Sequence, residues 1–248
     1  MKKVLVVTGG SRGIGAATAW LAATRGYAVC VGYLKNEAAA TAVVHEISEA
    51  GGQAIAIAAN VSIESDVVRL FERVDTELGP VTELVNNAGI VERQARVEQM
   101  DAERLARVFS TNVIGSILCA REAVLRMSTR HGGPGGSIVN LSSAASRLGS
   151  PHEYVDYAAS KGAVDAFTIG LAKEVAAEGI RVNAVRPGII ETEIHASAGE
   201  PNRVERLKSS IPMQRGGQPD EVARTILWLL SDEASYVTGA LVDIAGGR

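Results

Sequence analysis

The chain has 248 residues, 46% of them hydrophobic, and a formal net charge of −3, so it can bury one sizeable core and has no charge excess favouring nucleic acid or an anionic membrane. Its two cysteines, Cys30 and Cys119, lie apart in apolar stretches, and its four histidines show no metal-ligand spacing, which argues against a disulfide or a metal site. No apolar run is long enough for a signal peptide or a bilayer-spanning segment, so we expect a cytoplasmic protein that binds no membrane.

Short runs of valine, isoleucine and leucine alternate along the chain with longer segments whose apolar residues recur at helical spacing. This alternation predicts an α/β fold, a doubly wound parallel sheet of about seven strands with helices on both faces. No linker or repeat divides the sequence, so residues 1–248 are predicted to form a single domain. The predicted strands are Val4–Thr8, Tyr27–Tyr33, Gln53–Ala59, Glu83–Asn86, Ser137–Leu141, Arg181–Val185 and Ala240–Ile244.

The first strand is followed at once by a glycine-rich turn, Thr8 to Gly15, that opens a helix. Glycines at such a turn let the backbone approach a pyrophosphate closely, and the helix N-terminus offers free N–H groups and a positive dipole end. A tight turn without a ligand is the alternative. The position of the turn inside a β-α-β unit favours a Rossmann-type dinucleotide site.

The end of the second strand bears on the choice between NAD and NADP. An acidic residue there would bind the ribose hydroxyls of NAD, but residues 31–36 contain no carboxylate. Two cations, Arg12 in the turn and Lys35 after the strand, would instead pair with a 2′-phosphate. NADP(H) is therefore favoured over NAD(H), the alternative being that both cations are solvated surface charges.

A tyrosine and a lysine form the candidate reaction centre. Tyr157 and Lys161 are four residues apart on a predicted helix, so they share a face. A nearby ammonium favours the phenolate and is expected to lower the pKa of Tyr157. Tyr154 lacks such a lysine partner, because Ala158 stands four residues after it. A surface tyrosine beside a solvated lysine is the alternative for this pair taken alone.

The motifs taken together resemble the short-chain dehydrogenase/reductase family over the whole chain. The resemblance implies reversible reduction of a small-molecule carbonyl, or oxidation of a secondary alcohol, with NADP(H), as in 3-oxoacyl-carrier-protein reductase-like and glucose 1-dehydrogenase-like enzymes. An enoyl reductase is disfavoured, because that branch has a wider tyrosine–lysine spacing. A non-catalytic NADP(H)-binding redox sensor or scaffold is the alternative class. The matching residues are Thr8, Gly13, Gly15, Asn86–Gly89, Asn112, Ser143, Tyr157, Lys161 and Pro187–Gly188.

The resemblance also implies a role for each catalytic candidate. Tyr157 would give or take the substrate proton, and Lys161 would also bind the nicotinamide ribose. Ser143, rather than its neighbour Ser142, would hydrogen-bond to the substrate oxygen, although either serine alone could be a turn residue. Asn112 would hold a water that relays protons to Lys161, a role compatible with a structural amide bonded to backbone. The residues expected to contact the cofactor are Gly9, Ser11, Arg12, Gly13, Ile14, Gly15, Tyr33, Lys35, Asn60, Val61, Asn87, Ala88, Gly89, Tyr157, Lys161, Pro187, Gly188, Ile190 and Thr192.

Substrate contacts are expected from the residues before the tyrosine–lysine helix and from segment 191–210. The resemblance further implies a homotetramer with two-fold symmetry. Helices over 101–130 and 157–178 would pair across subunits, strand Ala240–Ile244 would pack in a second interface, and residues 243–247 would close over a neighbour's site. The candidate substrate residues are Arg147, His152, Glu153, Tyr154, Glu193, His195, Glu200, Arg203 and Arg206.

Overall fold

The computed structural model describes residues 2–248, apart from the side chain of His195. Its strands are β1 (Val4–Val7), β2 (Ala28–Tyr33), β3 (Gln53–Ala58), β4 (Glu83–Asn86), β5 (Gly136–Leu141), β6 (Ile180–Pro187) and β7 (Leu241–Ile244). All are parallel and form one sheet in the order β3-β2-β1-β4-β5-β6-β7. The predicted strands are thereby confirmed, and the largest difference lies in β6, which runs one residue earlier and two residues later than expected.

Helices cover both faces of the sheet because both faces of its strands are apolar. Along β1, Leu5 and Val7 pack into one core cluster and Val4 and Val6 into the other, as alternating side chains of a strand must. The helices are α1 (Gly13–Thr24), α2 (Glu37–Glu49), α3 (Glu64–Glu77), α4 (Ala102–Phe109), α5 (Gly115–Met127), α6 (Ala145–Leu148), α7 (Val155–Val175), α8 (Ile194–Ser197), α9 (Arg203–Leu207) and α10 (Pro219–Leu230).

The two core clusters assign the long helices to faces. Helices α1, α2 and α10 contribute buried side chains to one cluster, and α3, α5 and α7 contribute to the other. Cys30 lies in β2 and Cys119 in α5, and both thiols are buried and unpaired. This arrangement is the doubly wound α/β architecture that the sequence predicts.

A π-turn, Ser110–Ile114, joins α4 to α5 without breaking the helix. The combined helix, Ala102–Met127, is long and apolar enough to cross a membrane by length and composition alone. However, 44% of its most apolar 18-residue stretch is buried in the protein. On its inner face, Cys119, Ala120, Ala123 and Met127 pack into the core. The helix therefore has the buried face of a core helix, whereas its outer face exposes large apolar side chains such as Ile114 and Leu125.

The order of the strands reverses beside β1, which lies between β2 and β4. Loops that leave neighbouring strands toward opposite faces separate there and open a crevice at the carboxyl ends of the strands. The glycine turn follows β1, and the segments that follow β4, β5 and β6 begin at the same edge of the sheet. The fold therefore brings the predicted motifs together at one crevice.

Candidate active site

A cavity of about 830 Å³ opens at this edge of the sheet. The loops after the first six strands line it, together with the start of α7 and residues of segment 187–207. Of the predicted cofactor contacts, all except Gly15 lie in its wall. The volume is within the usual range of small-molecule and cofactor sites.

The glycine turn forms the floor at one end of the cavity. Gly9 and Gly13 have φ values of +63° and +52°, which side chains other than glycine rarely adopt. Among the described residues, no side chain caps the N-terminus of α1, and the first turn of α1 contains no acidic residue. Its N–H groups and dipole are therefore available to a pyrophosphate, and the Glu193 carboxylate lies close by, with its Oε2 3.7 Å from where a Cβ at Gly13 would be.

Hydrogen bonds to the end of β4 fix the shape of this turn. The Asn87 Nδ2 donates to the carbonyl oxygens of Thr8 (2.9 Å) and Gly9 (2.8 Å). In return, the Thr8 hydroxyl accepts from the backbone N–H groups of Asn87 and Ala88, both at 3.0 Å. Asn87 therefore acts on the turn as a brace, while Ala88 and Gly89 continue along the cavity wall.

The end of β2 presents cations and no carboxylate to the cavity. Tyr33 and Lys35 line this part of the wall, and Arg12 lies opposite on the glycine turn. Lys35 is exposed, and the Arg12 guanidinium donates to the Ser197 hydroxyl at 3.2 Å. Both cations are therefore free of carboxylate partners among the described ion pairs.

Tyr157 lies in the first turn of α7, half-buried in the cavity wall, with the Ser143 hydroxyl in hydrogen-bonding contact. Burial raises the pKa of Tyr157 above its ordinary value, and the Ser143 contact and the Arg203 charge oppose the rise. The expectation that the pKa of Tyr157 is lowered is therefore wrong, because removal of water around the phenol outweighs the favourable contacts.

Lys161 is 4% exposed and lies behind Tyr157. Its Nζ donates to the Leu141 carbonyl at 2.6 Å and lies 5.6 Å from the centroid of the Tyr157 ring. Burial lowers the pKa of Lys161 to about 8, and the carboxylate of Asp165 opposes that shift. The ammonium is thus directed at the end of β5 and lies within reach of the tyrosine ring.

The two adjacent serines after β5 have different surroundings. The Ser142 hydroxyl is buried and donates to the Lys161 carbonyl at 3.2 Å. The Ser143 hydroxyl accepts from the Ala145 N–H at 3.1 Å and contacts the Tyr157 phenol. Ser142 therefore holds β5 against α7, whereas Ser143 is the serine that faces the phenol.

The chain is similar to known proteins along nearly its whole length. A family model described as enoyl-(acyl carrier protein) reductase matches residues 9–248. An uncharacterized oxidoreductase, YgfF of Escherichia coli, is 61% identical over 245 residues, which are 99% of each chain. A 3-oxoacyl-[acyl-carrier-protein] reductase of a Synechocystis strain is 40% identical over 246 residues, 99% of this chain and 96% of that one. The chain belongs to the short-chain dehydrogenase/reductase family.

A solved structure supports the same assignment. The crystal structure of a dehydrogenase/reductase from Sinorhizobium meliloti matches with a TM-score of 0.90 and 34% sequence identity, covering 99% of this chain and 94% of that one. The resemblance inferred from the motifs is thereby confirmed, and the chain is an oxidoreductase of this family.

Asn112 lies in the π-turn, fully buried, and does not line the cavity. Its Oδ1 accepts from the Ile90 N–H at 2.8 Å, and its Nδ2 donates to the Ile90 carbonyl and the Ser160 hydroxyl, both at 3.0 Å. These bonds give the amide the structural role left open by the sequence. A Cβ at Gly89 would lie 3.3 Å from the Asn112 Oδ1 and 3.5 Å from the Lys161 Nζ, so the two groups border the same glycine.

Gly15 is the predicted cofactor residue that the structure places behind the cavity wall. A Cβ at this position would lie 2.3 Å from the Gly9 carbonyl oxygen and 2.5 Å from the Asn87 amide. Only glycine lets α1 pack this closely on its own turn. Gly15 therefore shapes the glycine turn and does not form its surface.

Asn60 lines the cavity and also organises the loop after β3. Its Oδ1 accepts from the Ser62 backbone N–H at 3.1 Å and from the Ser62 hydroxyl at 2.8 Å, and its own N–H donates to Asp66. Val61 is buried beside it and packs against Gly115, where an added Cβ would lie only 2.7 Å from the Val61 side chain. This loop is a fixed wall between α3 and the π-turn.

A cluster of four charged groups borders the part of the cavity beside Tyr154 and α9, the region where the sequence predicts substrate contacts (the substrate side). The Arg203 guanidinium lies 4.7 Å from the centroid of the Tyr154 ring and donates to Glu153 (2.6 Å) and Glu200 (3.0 Å). Arg206 donates to the same two carboxylates. Glu153, Tyr154 and Arg203 line the cavity, as does Glu193; Arg147, His152, Glu200 and Arg206 do not, and the His195 side chain lies outside the described part of the chain.

Sequence reasoning missed several apolar residues in the wall, which come from distant parts of the chain. Val91, Leu148, Ile194 and Leu207 surround the substrate side, and the C-terminal Arg248 also reaches this chain's own cavity. None belongs to a motif, because single apolar residues in a loop or in helices of only four or five residues give no periodic signal.

Proposed function

We propose that the protein interconverts a carbonyl and a secondary alcohol by hydride transfer with NADP(H), with Tyr157 as the general acid and base. The placement of Ser143, Tyr157 and Lys161 on one wall, beside the glycine turn, carries the proposal. NADPH, when bound, supplies the hydride. The open helix N-terminus and the glycine floor fit its pyrophosphate, as described above.

Each of the three residues has a distinct task in this proposal. Ser143 and Tyr157 already contact each other, so a single substrate oxygen can accept a hydrogen bond from both hydroxyls. Because burial raises the pKa of Tyr157, the phenol is protonated at neutral pH and is ready to donate to a carbonyl oxygen. Lys161 supplies a positive charge beside the phenol and a donor for the nicotinamide ribose.

The direction of catalysis should depend on pH as a consequence. Reduction uses the protonated phenol, whereas oxidation needs a phenolate. Since the pKa of Tyr157 is raised, we expect the oxidation rate to increase as pH rises through the neutral and alkaline range. The phenol stays protonated over the neutral range, so titration of Tyr157 should not limit reduction there.

The preference for NADP rests on Arg12 in the glycine turn and Lys35 after β2, two cations that have no carboxylate partner among the described ion pairs. Thermal-shift titration at equal concentrations should show larger stabilisation by NADP than by NAD. The double variant Arg12→Ser with Lys35→Ser should remove that difference while leaving stabilisation by NAD unchanged. Larger stabilisation of the wild type by NAD would contradict the preference.

The reaction class is tested by a substrate panel with NADPH. The panel contains simple ketones, hydroxylated ketones, a 3-oxoacyl thioester and an enoyl thioester. We expect oxidation of NADPH with a carbonyl member and none with the enoyl thioester, whose reduction the four-residue tyrosine–lysine spacing disfavours. Tight NADPH binding without turnover of any member would favour a redox sensor or scaffold instead.

We also propose a homotetramer with two-fold symmetry, in which α4, α5 and α7 pack across subunits. These helices and the π-turn expose large apolar side chains, a feature typical of interaction surfaces. Light scattering should give four times the chain mass of 25.9 kDa. The variant Ile117→Glu should lower that mass, and a monomeric wild type would contradict the proposal. The exposed residues are Leu105, Ile114, Ile117, Leu125 and Ile169.

A cytoplasmic location and a single domain complete the proposal. One sheet takes its strands from both ends of the chain, which supports one folding unit. The two buried thiols remain unpaired, which suits a reducing compartment. The ligand in the cavity would be a small carbonyl or alcohol, because apolar side chains and the compact ion-pair cluster enclose its substrate side.

A further inference from the structure

A buried carboxylate lies one helical turn beyond Lys161. Asp165 is 7% exposed, and it shares a face of α7 with Lys161 because four residues separate them. Its partner is Arg186 on β6, whose Nε (3.1 Å) and Nη2 (2.8 Å) both donate to the same oxygen, Oδ2. The other oxygen, Oδ1, is buried and has no hydrogen-bond partner. The ion pair therefore satisfies only half of this carboxylate.

A half-satisfied carboxylate is costly in a protein interior if its only task is to join a helix to a strand. An unpaired buried oxygen typically costs about 1–3 kcal/mol. A neutral side chain of similar size would fill the position without that cost. A role for the negative charge beyond the contact with Arg186 would account for keeping a carboxylate at this position.

The neighbour that this charge affects is Lys161. The ammonium has lost most of its water and has one hydrogen bond, to the carbonyl of Leu141. Burial favours its neutral form, and Asp165 is the charged group that opposes this effect. Without the carboxylate, Lys161 would lose its proton at a lower pH.

The other groups around Lys161 do not replace this effect. On α7, Tyr157 is protonated and neutral at neutral pH. Strand β5 presents the Leu141 carbonyl, and the π-turn presents the Asn112 amide, both uncharged. Strand β6 presents Arg186, which is a cation, and β7 presents Asp243, whose carboxylate lies 3.4 Å from Arg147 and 3.8 Å from Arg186. Asp165 is therefore the negative group nearest to the ammonium along its own helix face.

We propose that Asp165 is a positioning residue of the site, whose negative charge keeps Lys161 in its ammonium form at neutral pH. Arg186 holds the carboxylate in place by one oxygen, and the other oxygen has no hydrogen-bond partner. The consequence for catalysis rests on the proposed function, in which the ammonium acts beside Tyr157 and on the cofactor ribose. The charge state of Lys161 itself can be measured independently of any substrate.

The test is a titration of Lys161 by NMR in protein labelled with ¹³C at the lysine ε-carbon. The spectrum is simple because the chain has few lysines, and the variant Lys161→Arg identifies the signal. The variant Asp165→Asn should move the Lys161 midpoint to lower pH by about half a unit or more, the low end of a neighbouring charge's effect because Arg186 neutralises part of it. The lysines are Lys2, Lys3, Lys35, Lys161, Lys173 and Lys208.

A second variant separates electrostatics from loss of structure. Arg186→Gln removes a positive charge and frees Asp165, so it should move the Lys161 midpoint to higher pH, opposite to Asp165→Asn. Loosening of the contact between α7 and β6 would move both variants in the same direction. Asp243→Asn is the matched control, since it removes the other carboxylate that pairs with Arg186 and should leave the midpoint unchanged.

An unchanged midpoint in Asp165→Asn, or equal shifts in Asp165→Asn and Arg186→Gln, would overturn the proposal. The pH profile of carbonyl reduction gives the catalytic consequence, because its alkaline limb should follow the midpoint of Lys161 in each variant. A shifted midpoint without any NADPH oxidation would leave the role of Asp165 standing and contradict the proposed function. The two failures are thereby distinguishable.

Discussion

Replacing Glu83 with glutamine should flatten the dependence of stability on pH. Glu83 is a strand residue of β4, 4% exposed, and its Oε2 has no hydrogen-bond partner. The nearest ion-pair partner, the Lys3 ammonium, lies 3.7 Å away and is itself partly exposed. Burial therefore dominates and raises the pKa of Glu83 to about 8, despite the opposing charges of Lys3 and Arg181.

The magnitude follows from this shift. In the unfolded chain Glu83 ionises at its usual value of 4.5, whereas the folded protein keeps the proton up to about 8. The stabilising contribution of the protonated carboxyl is complete below the unfolded pKa and is lost as pH rises toward the folded one. The loss is about 1.4 kcal/mol per pH unit, or on the order of 2–3 kcal/mol between about pH 5 and pH 7.

The assay compares thermal midpoints of wild type and Glu83→Gln across this range at one protein concentration. Glutamine cannot ionise, so the midpoint of the variant should gain on that of the wild type by roughly 5–10 °C between about pH 5 and pH 7. Glu46→Gln, on the exposed surface of α2, is the control and should show no such divergence. Parallel curves for wild type and Glu83→Gln would refute the reasoning, because they would mean that Glu83 is ionised in the fold.

Four further substitutions test the geometry of the site. Gly15→Ala places a Cβ 2.3 Å from the Gly9 carbonyl oxygen, so the turn must move, and NADPH affinity measured by titration should fall at least about tenfold; unchanged affinity would mean that the turn is not the pyrophosphate site. Ser143→Ala should lower turnover roughly 100-fold, whereas Ser142→Ala should lower the thermal midpoint with little effect on the rate, and the reverse result would exchange their roles. Asn112→Ala leaves the Ile90 backbone groups unpaired and should destabilise the fold by about 2 kcal/mol or more in denaturant unfolding; no loss of stability would contradict the bonds described for this amide.

The strands and the reaction centre could be predicted because they depend on local patterns. A strand buried on both faces must be apolar at every position, and the run Val4–Val7 supplies side chains to both cores. The pair Tyr157 and Lys161 needs only helical spacing to share a face. The family resemblance favours Ser143 over Ser142, and their contacts give the physical reason. The Ser142 hydroxyl donates to the Lys161 carbonyl, whereas the Ser143 hydroxyl contacts the Tyr157 phenol.

Properties that depend on tertiary packing could not be predicted in the same way. The direction of the Tyr157 pKa shift is determined by how much water the fold removes from the phenol, which no spacing reveals. Arg203 reaches Tyr154 only because segment 203–207 folds over the cavity. The π-turn that buries Asn112 is a helix irregularity without a sequence signal of its own.

The proton transfer assigned to Tyr157 is tested most directly by one comparison, the rate of NADPH oxidation by wild type and Tyr157→Phe with a carbonyl that the wild type reduces. Phenylalanine keeps the ring and removes the hydroxyl that contacts Ser143. The account predicts a rate at least about 100-fold lower with NADPH affinity retained. A variant that reduces the same carbonyl at the wild-type rate would contradict the central role of Tyr157.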